Sequence, residues 1–176
     1  GTRLAHVMAA GELARKLSVL FDQPEADLLV AAATLHDIGY SPRIAETGFH
    51  PLDGARYLRA ERFPDRLACL VAHHSLAIMS SNRVAVASLI RQFPREESLL
   101  ADALVFADMH SAPDGRIIPV EQRLDDICER HLGPGTEPRV RLLGASIERV
   151  RQALQDIDAS VDPVRVDEIL AIDRLR

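Results

Sequence analysis

Apolar residues recur along almost the whole chain at spacings of three and four, and nowhere do they alternate convincingly with the two-residue period of a half-buried strand. Leu4, Val7, Met8, Leu13, Leu17 and Leu20 fall roughly on one face of a first helix. Asp22 then stands where an N-cap belongs, with Pro24 in the first turn and Glu25 three residues on. The run from Leu28 to Ile38 is apolar enough for a buried central helix, and Gly39 takes the place of a left-handed residue at its C-terminus. Pro51 and Pro64 suit the first turns of a third and a fourth helix. Further helices are predicted over about 83–92, 95–110, 119–131, 137–157 and 163–174. Pro94, Pro113-Asp114-Gly115, Gly133-Pro134-Gly135 and Asp162-Pro163 punctuate them. The fold class read from this pattern is all-α.

With 176 residues, 47% of them hydrophobic and 27% charged, the chain has the make-up of one globular domain. A domain of this size buries roughly 70% of its unfolded surface, so its core needs no covalent staples. Residues 1–132 read as the core, and 133–176 as additional C-terminal helices packed on the same domain, free of histidine and suited to a homodimer face. A net charge of −5 argues against nucleic acid or an anionic membrane as partner. All the cations except Lys16 are arginines. Cys69 and Cys128 are too few and too far apart for a disulfide framework, which points to a reducing cytoplasm. No leader-like segment opens the chain and no apolar run approaches roughly 18 residues, so neither secretion nor a membrane span is expected.

Six of the seven histidines precede residue 111, and several sit where burial would penalise them. His36 and Asp37 end the most apolar helix; an ionised Asp there is costly unless it is paired or holds a metal. His73 and His74 lie within the apolar stretch from Leu67 to Ile78, Asp108 follows the run Ala103 to Ala107, and His6 is on the apolar side of the first helix. A shared metal centre resolves all of these burials together. Imidazole with carboxylate suits Mn, Fe, Co, Ni or Zn, and the lack of clustered thiolates argues against a structural zinc site.

The ordered set resembles the HD-domain metal-dependent phosphohydrolase superfamily over roughly residues 3–115. Leu35-His36-Asp37-Ile38-Gly39 matches its signature, His6 its upstream histidine and Asp108 its downstream aspartate. His50 and the pair His73-His74 match the extra histidines of dinuclear members. The resemblance implies an HD-domain helical bundle with one or two divalent transition metals per chain. His6, His36, Asp37 and Asp108 would hold one metal, and Asp37 would bridge to a second held by His50 and His73. His74 is left as a general acid, a partner behind the ligands or a further ligand. Arg43, six residues past the motif, and Arg3, one helical turn before His6, are candidates to meet a phosphate. His110 is a candidate for proton transfer.

The implied reaction is hydrolysis of a phosphoester or phosphoanhydride by a metal-activated water, on a small phosphorylated substrate resembling a nucleotide. Tyr40 replaces the lysine of the cyclic-dinucleotide phosphodiesterases, and Tyr40-Ser41-Pro42 replaces the Glu-Asp pair of the alarmone hydrolases. The chain is therefore more similar to the small stand-alone members. Two alternatives stay open at this point: a di-iron oxygenase on the same ligand set, and a non-catalytic sensor module.

Overall fold

The computed structural model describes residues 2–80, 84–130, 135–157 and 162–174. In chain order the helices are α1 (Thr2–Leu17), α2 (Gln23–Leu35), α3 (His50–Ala60), α4 (Asp65–His73), α5 (Val84–Ile90), α6 (Leu99–Met109), α7 (Val120–Arg130), α8 (Thr136–Asp156) and α9 (Pro163–Leu170). Short 3-10 turns lie at Ser18–Leu20, Ile38–Tyr40, Ala77–Ser80 and Ile172–Arg174. The all-α expectation holds: the described residues form no strand, only an isolated bridge between Ser111 and Ile117. His131 lies outside the described residues.

Helix α6 is the hub, because its sequence is apolar on nearly every side. Leu100, Ala103, Leu104, Phe106 and Ala107 are all buried, and the helix packs against α1, α2 and α8. Its one inward acid besides Asp108 is Asp102, which takes a bidentate pair of bonds from Arg149 of α8 at 2.6 and 2.7 Å. Ser98 caps α6 by accepting from the Ala101 amide at 3.1 Å, an interaction typically worth about 1 kcal/mol. Asp22 caps α2 as expected, accepting from the Glu25 amide at 3.3 Å. Pro51 sits in the first turn of α3, and Pro64 immediately before α4.

Two readings of the sequence are corrected. The buried stripe of α1 runs through His6, Ala10, Leu13, Ala14 and Leu17, while Leu4 and Met8 are exposed. Ala10 and Ala14 share the stripe with Leu13 and Leu17 where α1 packs against α2. Gly39 is not a left-handed residue; only Gly48 and Gly115 are glycines with positive φ among the described residues. Glycine is required there for space. A Cβ on Gly39 would lie 2.0 Å from the His50 carbonyl oxygen and 2.6 Å from the Gly54 amide nitrogen. The 3-10 turn carrying the motif is thus pressed backbone to backbone against α3. No described helix is long and apolar enough to cross a membrane.

Candidate metal centre

Four helices deliver the expected residues to one place. His6 comes from α1, His36 from the cap of α2 with Asp37 beside it, His50 from the start of α3, and Asp108 from the last turn of α6. His6 and His36 bring their Nε2 atoms to 3.1 Å, and Asp108 Oδ1 lies 3.2 Å from the first and 3.7 Å from the second. Asp37 faces two ways. Its Oδ2 is 3.7 Å from both His6 and His36, while its Oδ1 is 3.2 Å from His50 Nε2 and 3.9 Å from His74 Nε2. His50 and His74 are 3.4 Å apart.

The adjacent histidines of α4 separate. His74, capping the helix, is 3% exposed and turns into the cluster. His73 turns the other way and donates from Nε2 to the Phe93 carbonyl at 2.7 Å. The geometry therefore does not meet the expectation that His73 is the ligand; of the three roles left open for His74, it favours that of a ligand. Successive residues on a helix point about 100° apart, so only one of the pair can face the centre. The turn that aims His74 is held from both sides. Leu76 adopts φ +51, and Arg139 of α8 donates from Nε to the Ser75 carbonyl at 2.9 Å.

Ring orientation reveals what the centre is built for. Nδ1 of His6 meets the Ser111 carbonyl at 3.0 Å, that of His36 the Ala33 carbonyl at 2.7 Å, and that of His74 the Val71 carbonyl at 2.7 Å. A carbonyl only accepts, so each Nδ1 carries the hydrogen and each neutral ring presents a bare Nε2 lone pair. Such carbonyl-anchored imidazoles are the usual arrangement behind a metal ligand. Lone pairs converging with carboxylate oxygens repel one another unless a cation lies between them. Ligands bound at about 2.0–2.1 Å to one ion stand roughly 3.0–3.4 Å from each other, close to the separations here. The donor set therefore fits a divalent transition metal.

The protonation pattern agrees. Burial opposes the ionised forms of Asp37 and Asp108, yet His50 bonded to the first and His6 to the second, with the charge of His36, hold both carboxyls well below their ordinary range. Burial likewise opposes charge on His6, but the bond to Asp108 and that residue's charge outweigh it and raise the imidazole. His74, wholly enclosed and beside His36 and His50, is pushed down to about 3, so it is neutral at pH 7 and ready to ligate.

The remaining candidates divide. Arg3 reaches the cluster, placing a terminal nitrogen 2.6 Å from Asp37 Oδ2 and its guanidinium 3.9 Å from the centre of the Tyr40 ring. Tyr40 in turn stacks on His50 at 3.9 Å, fixing that imidazole. Arg43 is exposed and pairs with no carboxylate among the described residues. His110 is turned away from the metal ligands: its Nε2 bonds to Asp173 at 3.0 Å and its Nδ1 to the Phe106 carbonyl. Asp53, within the first turn of α3, receives the Thr47 and Gly48 amides and the Thr47 hydroxyl, so it shapes the loop that leads into His50.

Two residues at the site escaped sequence reasoning, Arg123 of α7 and Arg139 of α8. A signal for them existed. Val120, Arg123, Leu124 and Ile127 follow the spacing of one buried face, as do Arg139, Leu143 and Ile147, so each arginine stands at a core-facing position.

Fold and cluster together define a helical protein with a buried His/Asp centre suited to a divalent metal. A family model, the HD domain, matches residues 3–159, and the chain belongs to that family, the metal-dependent phosphohydrolase superfamily expected from the motif. The match runs past residue 115 and takes in α7 and α8, the helices that contribute Arg123 and Arg139. Neither the curated proteins nor the solved structures gave a match.

Proposed function

We propose that this protein is a metal-dependent phosphohydrolase that cleaves a phosphoester or phosphoanhydride bond in a small, nucleotide-like substrate. The observation that carries the reading is the convergence of carbonyl-anchored imidazoles and two depressed carboxylates on one buried point. His6, His36, Asp37 and Asp108 would hold one ion of the Mn, Fe, Co, Ni or Zn class. Asp37, with its second oxygen, would share a further ion with His50 and His74. Bound metal supplies Lewis acidity, which activates water near neutral pH and neutralises phosphoryl oxygens.

The chain's own side chains do the rest. The backbone carbonyls of Ala33, Val71 and Ser111 hold the Nδ1 atoms of three imidazoles and so turn their Nε2 atoms towards the centre. Tyr40 and the Gly39 contact fix His50 against Asp37. Arg3 stands at the exposed side of Asp37, where a cation attracts an approaching anion. His74 serves as a ligand in this reading, because a fully enclosed imidazole has no path along which to pass a proton to a leaving group.

Phosphorus NMR of nucleoside mono-, di- and triphosphates and of dinucleoside polyphosphates, incubated with Mn-loaded protein, tests this reading. Hydrolysis of at least one substrate is expected, lost together with metal binding in Asp37→Ala. Oxygen consumption with Fe(II) and no hydrolysis, or full hydrolysis by Asp37→Ala, would overturn it.

A further inference from the structure

The motif residues account for the donors of the centre but not for two cations held against them. The Arg123 side chain is 16% exposed, and its Nε is enclosed without a hydrogen-bond partner. Its terminal nitrogens lie 3.8 Å from Asp108 Oδ1 and 3.9 Å from Asp126 Oδ2. Both separations exceed hydrogen-bond length, so neither carboxylate takes up the guanidinium's fork. Asp108 is already engaged by His6 at 3.2 Å. Arg139, 5% exposed, adds a second buried cation; burial lowers its pKa, the charge of Asp108 raises it and that of Arg123 lowers it, so this guanidinium feels both residues.

Arg3, Arg123 and Arg139 set three positive charges against Asp37, Asp108 and Asp126 before any metal is counted. Each divalent ion then adds two positive charges that no side chain in this set offsets. A neutral polyol leaves that excess in place, whereas a dianionic phosphoryl group offsets two of those charges.

We propose that Arg123 binds the phosphoryl oxygens of the substrate beside the metal centre, with Arg139 reinforcing the positive field. This rests on the phosphohydrolase reading and adds a residue from α7, outside the metal motif. The planar fork of arginine matches two phosphoryl oxygens at once, which lysine does not.

Titration of Mn-loaded protein with inorganic phosphate, followed by calorimetry, reads the anion site without turnover; Mn affinity is measured on the same samples. In Arg123→Gln, phosphate binding is expected to weaken roughly tenfold to hundredfold while Mn affinity stays equal or tightens. Arg123→Lys should restore charge but only part of the phosphate affinity. Unchanged phosphate binding in Arg123→Gln, absence of phosphate binding by the wild type, or a parallel loss of Mn would each overturn the assignment, the last by making Arg123 a support for Asp108. If Arg123→Gln does not fold, Arg123→Lys carries the same comparison. Phosphate binding that depends on Arg123 in a protein that hydrolyses nothing would refute the phosphohydrolase reading and leave the anion site standing.

Discussion

Replacing Gly39 by alanine should damage fold and metal centre together. The added methyl group would lie 2.0 Å from the His50 carbonyl oxygen and 2.6 Å from the Gly54 amide nitrogen, both backbone atoms of α3. No side-chain rotamer relieves such a contact. Reaching even 3.0 Å from that oxygen requires the turn and α3 to part by 3.0 − 2.0 = 1.0 Å. Overpacking on this scale costs about 1–3 kcal/mol. For a chain of this length each kcal/mol moves the melting temperature by roughly 2–4 °C, so the upper figure corresponds to a fall of about 6–12 °C. The same displacement draws Asp37 away from His50, now 3.2 Å distant, and metal content should fall with stability. Circular-dichroism melts with and without Mn, with elemental analysis, measure both. Gly144 in α8 is the control, because a Cβ there meets nothing within 4 Å. Gly144→Ala should gain about 0.5–1 kcal/mol from helix propensity. A Gly39→Ala protein that melts within about 2 °C of wild type and keeps its metal would refute the close-approach argument.

Other consequences follow from the same contacts. Mn at about a hundred times its dissociation constant should stabilise the fold by about 2.7 kcal/mol, a rise of roughly 5–11 °C in melting temperature that a chelator reverses. Asp173 supplies a pH signature remote from the metal ligands. Burial opposes its charge, but the bond and charge of His110, the Val120 amide and Arg151 hold its pKa well below the ordinary carboxylate range. A folded pKa below the unfolded one makes the contribution complete above about pH 4 and removes it as pH falls towards the folded value. The gap in melting temperature between wild type and Asp173→Asn should therefore be widest near neutrality and narrow below pH 4. Arg139→Met should destabilise by about 1–3 kcal/mol, since the buried Ser75 carbonyl loses the bond it receives from Nε.

What the sequence made legible were features with local causes. The Asp22 cap, the Pro51 turn and the reversal at Gly115 depend on neighbours in the chain, and each appears where its residue type demands. His6, His36, Asp37 and Asp108 were readable as candidates because an imidazole or carboxylate at a burial-prone position in an apolar helix needs a reason, and His50 through the family resemblance. The choice between His73 and His74 was not legible. It turns on the Phe93 carbonyl, twenty residues away, which captures one ring and leaves the other to the cluster. The role of Gly39 depends equally on a distant backbone, that of α3, and local pattern alone suggests a left-handed cap in its place. Arg123 and Arg139 lay in plain view on core-facing positions, but their relation to Asp108 arises only when α7 and α8 fold back over α6.

The most direct test of the metal centre compares bound metal in the wild type, His73→Ala and His74→Ala, each purified without chelator, saturated with Mn and analysed by elemental mass spectrometry. His74→Ala should lose metal relative to the wild type, and His73→Ala should retain the wild-type content. Retention in His74→Ala with loss in His73→Ala would contradict the assignment of the buried ring as the ligand.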